Sequence, residues 1–338
     1  MRWIMNLVTD PWIPVITLNG MPDYINLMQA FTEGEKYADF SVRPHERVAL
    51  MRLLICIAQA SLDGPEDKDE WKESPKKLPE AARRYLEKWN NEEVFELYHR
   101  EKPFLQIKEL ESKELTPLSK LDVFLSTGNT TTMFDQEANG NDFRQFHPRE
   151  IVLSLITFLC FSPGGGLPVT KWRDVKTGQV GNPDAPCVTG GMYHSFFRGK
   201  TIIESICFNL LSKSVVKRHY QKQNENNEEI ENEMEMYWGK PVWEMFPDRP
   251  GEIRSIENAT RTYLGRLMPL SRWIKIEPDW NGMHCGRGFD YPTLDKKIQK
   301  EKKNKSHLTI WPAEPSATVV LNKEKTNRII LGAKPDKA

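Results

Sequence analysis

Apolar positions first cluster between Leu7 and Ile16, where Leu7, Trp12, Ile13, Val15 and Ile16 mark an extended segment, and Asn19-Gly20 then supplies a tight-turn signal before Tyr24 to Leu27. An opening β-hairpin is predicted. From Pro44 to Ala60 apolar residues fall on nearly every face behind a proline suited to a first helical turn, which predicts a helix buried all round rather than an amphipathic one. Asp63 to Lys77 is charged, contains Gly64, Pro65 and Pro75, and reads as a surface loop. Helical spacing returns over Pro79 to Asn90 through Ala82, Tyr85, Leu86 and Trp89.

Leu115 to Leu125 reads as a short helix, after which the pattern dissolves into Gly, Asn and Thr from Ser126 to Asn141. Structureless loops longer than about 12–15 residues in a compact chain are usually functional or disordered, so this stretch, with Phe134 at its centre, is a candidate binding element. A second strongly apolar helix over Pro148 to Cys160 ends at Ser162-Pro163-Gly164-Gly165-Gly166. An ordered glycine run lets another backbone or a ligand approach closely, and its amides can face an anion; the plainer reading is a flexible helix exit. Thr170 to Thr189 reads as loop, Met192 to Phe197 as a strand and Thr201 to Leu211 as a helix.

Gln223 to Glu235, with six Glu and four Asn, reads as a solvated insertion. Ordered structure resumes over Tyr263 to Ile276. Asp295 to Ser306 then carries six lysines, either a solvated tip or a phosphate contact. Thr318 to Leu321 and Arg328 to Leu331 predict a final hairpin. The whole is an α+β pattern read as one large domain over 1–338, with sub-regions 1–125, 142–220 and 236–338 around polar insertions at 126–141 and 221–235.

Composition narrows the functional classes. With 39% apolar and 28% charged residues in 338, the chain can bury a substantial core, which excludes fibrous and wholly disordered classes. The 47 basic and 47 acidic side chains cancel, so no global field draws the chain onto nucleic acid or membrane. The neutrality is a sum of opposed blocks: 17 basic and 25 acidic groups over 1–143, 10 and 4 over 144–220, 4 and 10 over 221–260, and 16 and 8 over 261–338. Any anionic partner must therefore meet a local patch. The five cysteines are odd in number and form no C-x-x-C pair, which fits reduced cytoplasm rather than a disulfide framework or a zinc ribbon. No apolar run approaches the roughly 20 residues of a membrane span, and the interrupted start reads as mature protein.

Catalytic signatures are weak. The seven histidines form no H-E-x-x-H, and G-x-S-x-G, Walker-type and G-x-G-x-x-G patterns are missing. His284-Cys285 could offer two metal ligands but has no second pair nearby. The best case for an enzyme is Asp135, Asp142 and His147, with Glu150, as a divalent-metal nuclease cluster of unspecific spacing.

Three segments in order carry a resemblance: Asn6-Leu7-Val8-Thr9-Asp10-Pro11-Trp12-Ile13-Pro14-Val15, Lys102-Pro103-Phe104-Leu105-Gln106, and Arg198-Gly199-Lys200-Thr201 through Leu210. Together they resemble the CasA family, the large subunit of the type I-E CRISPR Cascade surveillance complex. That resemblance implies a large mixed α+β N-terminal domain in a non-catalytic, RNA-guided subunit that recognises a protospacer-adjacent motif (PAM) in duplex DNA and helps start R-loop formation. The loop carrying Met133, Phe134, Asp135, Gln136 and Asn139 resembles the family element that reaches the guide RNA, and Gly164, Gly165 and Gly166 resemble its glycine loop beside the PAM. Lys296, Lys297 and Lys300 occupy the region of a family lysine that enters the minor groove. Implied partners are the guide-RNA 5′-end-binding, backbone and small Cascade subunits, CRISPR RNA, double-stranded target DNA and an effector nuclease on another chain or domain, with no membrane. The family's cysteine cluster is missing, so neither metal nor cofactor is expected. Because the sequence stops at Ala338, the family's wedge hairpin and C-terminal four-helix bundle are expected to be absent.

Overall fold

The opening hairpin forms as the pattern predicts. A computed structural model describes residues 5–123, 146–178, 180–189, 194–221, 237–278, 282–291, 314–316, 319–321 and 328–330. In it β1 (Ile13–Thr17) pairs antiparallel with β2 (Pro22–Ile25), and β3 (Tyr37–Phe40) adds to the other edge of β1. Four residues are too few for alternation to announce β3 in the sequence. Between β2 and β3 lies α1 (Leu27–Thr32), capped by Asn26, whose side-chain oxygen accepts the Gln29 amide at 2.8 Å. Trp12 seals the sheet's inner face, fully buried, with its indole N–H donating to the Leu7 carbonyl at 3.0 Å.

Helix α2 (Pro44–Leu62) is the buried axis that its all-round apolar pattern predicts, and it packs against α3 (Lys68–Asn91) and α4 (Pro148–Phe161). The extent of α3 corrects the sequence reading, which leaves residues 63–77 as loop. The helix runs straight through Pro75 and Pro79, although each ring removes a backbone donor at a cost of about 3 kcal/mol. Burial outweighs that cost. Trp71, Ser74, Leu78, Ala82 and Leu86 recur at three- and four-residue steps on the inward face, and the Trp71 indole N–H donates to the Leu210 carbonyl at 3.0 Å. Asp67 fixes the start by accepting the amides of Asp69 and Glu70 at 2.9 and 3.0 Å.

After α4 the chain forms strands where a loop is expected. β5 (Thr170–Trp172) pairs with β4 (Leu110–Ser112) and with β6 (Val175–Lys176), giving the order β4-β5-β6. A short helical turn α5 (Pro186–Thr189) follows. Of the strand expected over Met192 to Phe197, the described residues 194–197 form none; the Ser195 amide donates to the Ser316 carbonyl at 3.2 Å instead of joining a ladder. Of the helix expected over Thr201 to Leu211, α6 forms over Ile202–Phe208 with Thr201 as its cap, and α7 (Lys213–Gln221), α8 (Ile253–Arg261) and α9 (Tyr263–Leu267) lead into the antiparallel pair β7 (Arg272–Ile276) and β8 (Met283–Arg287). The expected helix over 115–125 shrinks to one 3-10 turn, Leu118–Leu121, and the final hairpin forms as β9 (Val319–Leu321) with β10 (Arg328–Ile330). One apolar cluster extends from Met5 to Tyr291, and among the described residues no helix is long and apolar enough to cross a membrane.

Inside this apolar mass sits a buried charge triad. The Arg52 guanidinium on α2 pairs with Glu314 Oε1 and donates to Leu267 O at 2.9 Å and Ser316 Oγ at 2.7 Å. Arg266 on α9 donates to Glu314 Oε2 at 2.9 Å and to Thr260 O at 2.7 Å. Burial opposes ionisation of Glu314, but the two guanidiniums outweigh it and hold the carboxyl below its usual value of 4.5. A depressed carboxyl stabilises the fold above its unfolded value and loses that contribution as pH falls through the folded one. Glu314→Gln should therefore lower stability at neutral pH by about 3 kcal/mol, leaving two buried cations undercompensated, and should flatten the decline below about pH 4.5. Urea midpoints measured across pH check this; superimposable acid limbs for variant and parent would contradict it.

Candidate nucleic-acid interface

The glycine run at the end of α4 is held by an arrangement that the sequence conceals. Its anchor is Arg272, the first residue of β7, whose side chain is buried (1% exposed) and has no carboxylate partner among the described residues. Its guanidinium donates to Pro163 O and Pro183 O, both at 2.8 Å, and to Ser271 O at 2.7 Å. Burial lowers its pKa from the usual value. Charge-assisted bonds to carbonyls are what make such a site tolerable. Because Pro163 and Pro183 lie 20 residues apart in sequence, the same cation ties both ends of the intervening segment to the core. Nearby, Ser271 Oγ donates to Leu159 O at 2.6 Å, fixing β7 to the end of α4.

Beyond this clamp the two strands of the arm meet again. Gly165 and Asn182 form an antiparallel bridge, with Gly165 N donating to Asn182 O at 2.9 Å, and Asn182 N and Nδ2 donating back to Gly165 O at 3.3 and 2.8 Å. Gly164 N donates to Asp184 Oδ1 at 2.6 Å. A side chain at 164 is impossible without movement, since a Cβ there would lie 2.4 Å from Asn182 O. Gly165 differs: it has φ of +113° and open space around the Cβ position. The expectation that the run's amides face an anion is thereby corrected for two of the three, because the N–H groups of Gly164 and Gly165 are engaged inside the arm. What Gly165 presents outward is bare main chain.

Within the loop closed by Gly165 and Asn182 lies the β5–β6 hairpin. Trp172 roots it in the core, its ring edge-on to Trp273 at 4.8 Å. On the opposite, exposed side Lys171 stands directly across from Lys176, and on its other edge from Glu111. Like charges placed opposite each other across a sheet are unfavourable, so this pair has a reason to meet an anion. Sequence reasoning missed Lys171, Lys176, Asn182, Asp184 and Arg272. A K-x-R-x-x-K run between two glycine segments is the one signal that could have found the lysines; a buried arginine has none.

Other candidates fare differently. Met133, Phe134, Asp135, Gln136, Asn139 and Asp142, together with Lys296, Lys297 and Lys300, lie outside the described residues. His147 and Glu150 of the nuclease reading have structural work: His147 caps α4, accepting the Arg149 amide at its Nδ1, and Glu150 Oε2 accepts the His147 amide at 3.0 Å. Among the described residues no group of three or more His, Cys, Asp or Glu is placed to hold a metal ion. His284, from the His284-Cys285 pair, uses both ring nitrogens, Nδ1 with Ser112 Oγ at 2.7 Å and Nε2 with Glu277 Oε1 at 3.0 Å, while Cys285 is buried in β8.

Residues 6–338 match the family model of CRISPR-associated protein Cse1, and the chain belongs to that family. It is 27% identical over 252 residues to CRISPR-associated protein CasA/Cse1 of Thermus thermophilus, covering 73% of this chain and 43% of that protein. Among solved structures it resembles Thermobifida fusca Cse1 (TM-score 0.65, 21% identity, 86% of this chain and 52% of that one). It also resembles Thermus thermophilus CasA (TM-score 0.63, 21% identity, 99% and 61%) and a chain of a CRISPR RNA-guided surveillance complex (TM-score 0.62, 16% identity, 98% and 61%). The chain thus spans about half the length of the relatives it matches, and what it shares with the solved structures is their mixed α+β fold.

If Arg272 is the clamp, replacing it with Leu should free the arm while β7 keeps its apolar neighbours. Limited proteolysis should then cut Arg272→Leu between residues 163 and 184 at least tenfold faster than the parent. Equal cleavage rates there would show that the arm holds itself.

Proposed function

We propose that this chain is the non-catalytic large subunit of an RNA-guided type I-E Cascade complex, in which the Gly164–Gly166 arm inspects the PAM of duplex DNA from the minor groove and helps start the R-loop. The single observation that carries the reading is Gly165: bare main chain in a conformation that side chains avoid, exposed beside the clamped foot of the arm. Family membership supports it, and one structural neighbour is itself a CRISPR RNA-guided surveillance complex. The minor groove offers few distinguishing hydrogen-bond groups, so recognition there rests on width and close fit, which a glycine surface suits. Since Gly164 and Gly165 amides are engaged, the fit at those two residues is steric rather than donor-mediated.

Division of labour follows. Duplex protein contacts select a short motif and guide base pairing reads the rest, as the general scheme for RNA-guided effectors has it. A chain of zero net charge binds DNA weakly alone, and within the complex its basic blocks add to a groove that other subunits complete. Lys171 and Lys176 supply phosphate contacts beside the arm, with Lys296, Lys297 and Lys300 as further ones. The loop with Met133, Phe134, Asp135, Gln136 and Asn139 contacts the guide RNA and neighbouring subunits. The remaining partners are the guide-RNA 5′-end-binding, backbone and small subunits, CRISPR RNA, target DNA and an effector nuclease on another chain or domain, in the cytoplasm.

Gly165→Asp places a carboxylate where phosphates converge and should weaken target-duplex binding by the assembled complex at least tenfold, with subunit assembly and guide RNA content unchanged. Gly165→Ala carries the same backbone strain without the charge and should lose less. Gel-shift titrations measure both, and parental affinity in the Asp variant would remove the arm from recognition. In the same assay, Lys171→Ala with Lys176→Ala should reduce the salt slope by roughly 1–2; an unchanged slope would return both lysines to plain solvated surface.

A further inference from the structure

The glycine arm is bracketed by two cysteines that DNA inspection leaves unused. Cys160 lies in the last turn of α4 and Cys187 in α5, both without exposed surface, and α5 packs on α4. Two residues inward from each, the Ala185 amide donates to the Ser162 carbonyl at 2.9 Å. The feet of the arm therefore meet between the cysteines and the Arg272 clamp at Pro163 and Pro183. Behind that pairing the two thiols are hydrogen-bonding neighbours. A disulfide between them would close a covalent ring around the 26 residues that separate them.

The charges facing this pair favour one thiolate. Arg52 acts on both thiols, and with Arg266 it flanks the single carboxylate of Glu314. His194 adds no charge. Ser316 Oγ accepts from Arg52 at 2.7 Å and so donates its own proton to His194 Nδ1 at 2.8 Å, which leaves the Nε2 hydrogen for the Cys187 carbonyl at 3.0 Å. Burial lowers the pKa of that imidazole and keeps it neutral, and burial raises that of the Tyr291 hydroxyl, whose ring packs on Arg266. Two guanidiniums against one carboxylate leave one positive charge uncompensated among the described residues. Burial opposes a charge on Cys160, but the Cys187 thiol and Arg52 outweigh it and hold Cys160 below the usual 9.0, while burial drives Cys187 well above that value. Cys160 is thus the nucleophile, and Cys187 the thiol that resolves it.

We propose that Cys160 and Cys187 form a reversible oxidation site, at which a peroxide converts the facing thiols into a disulfide that staples the base of the arm. The Cys160 thiolate attacks one peroxide oxygen, the O–O bond breaks, and a sulfenic acid forms with release of hydroxide, which takes a proton from solvent. Cys187 then attacks the sulfenic sulfur. The S–O bond breaks, and the Cys187 proton leaves with the departing oxygen as water. The two sulfurs together lose two electrons, and the peroxide is reduced to two waters. Hydrogen peroxide is small and neutral, and Cys160 lies three residues from exposed Pro163, so local parting of the feet admits it. Forming the disulfide removes the anion that Arg52 and Arg266 favour, so the oxidised pair is readily returned to thiols.

The test is mass spectrometry of the full chain after hydrogen peroxide treatment, with digestion in the absence of reductant. A peptide joining Cys160 to Cys187 should accumulate at least tenfold faster than any modification of Cys56 or Cys285, which are as deeply buried and have pKa values raised by that burial. Dithiothreitol should separate it. In Cys187→Ser the sulfenic acid should persist on Cys160 and be captured by dimedone; should that variant's circular dichroism spectrum differ from the parent's, Cys187→Ala serves instead. Hydrogen exchange at the Ala185 amide, which opens only when the feet part, should slow at least threefold in the oxidised chain. None of these readouts involves DNA, so they stand apart from the role proposed for the arm. Absence of the joined peptide, oxidation of Cys56 and Cys285 at the same rate, no dimedone adduct on Cys160 in the folded Cys187 variant, or unchanged exchange at Ala185 would each overturn the proposal.

Discussion

The Arg272 guanidinium is taken out of water with no carboxylate beside it among the described residues, and the carbonyls of Ser271, Pro163 and Pro183 are what compensate it. A buried cation so placed costs a great deal if any of those carbonyls moves away. The cost is therefore a restoring force: it keeps both feet of a 20-residue arm at fixed positions on the core. Everything proposed for the arm depends on that restraint. A glycine run on a free loop would lose much of its binding energy to ordering, whereas one held at Pro163, bridged at Asn182 and rooted by Trp172 has been ordered during folding.

The same logic recurs in the interior, where Arg52, Arg266 and Glu314 join α2, α9 and the segment at 314–316. Apolar packing alone would let these elements slide, because dispersion has little direction. Buried ions with fixed partners permit one register. Among the described residues the chain thus uses three fully buried arginines as positional pins, Arg52 and Arg266 inside the core and Arg272 at the root of the arm, while Lys171 and Lys176 stay exposed beside the glycine arm.

How much of this the sequence disclosed follows from how local each signal is. The hairpin at Ile13–Ile25 and helices α2 and α4 are carried by apolar patterning within a dozen residues, and they form as expected. Helix α3 is misjudged over its first half because charge together with Gly64, Pro65 and Pro75 reads as loop, and the burial of Trp71 and Leu78 that overrides this is a tertiary effect. Strands β5 and β6 are too short to show a period, and they exist because Leu110–Ser112, some 60 residues earlier, offers an edge. The glycine run is legible as a site, but which of its amides are engaged depends on Asn182 and Asp184. Arg272 sits in an ordinary-looking strand, RWIKI, and nothing nearby in sequence announces a buried cation. The implied guide-RNA loop and the lysines near 300 are compositional signals whose geometry lies outside the described residues.

Hydrogen–deuterium exchange on the assembled complex tests the central claim most directly, by following the backbone from Ser162 to Thr170 with two duplexes that differ only in the motif beside the target. The account predicts that exchange in this stretch slows with the motif-bearing duplex and stays at its DNA-free rate with the other. Identical exchange with both duplexes would contradict it.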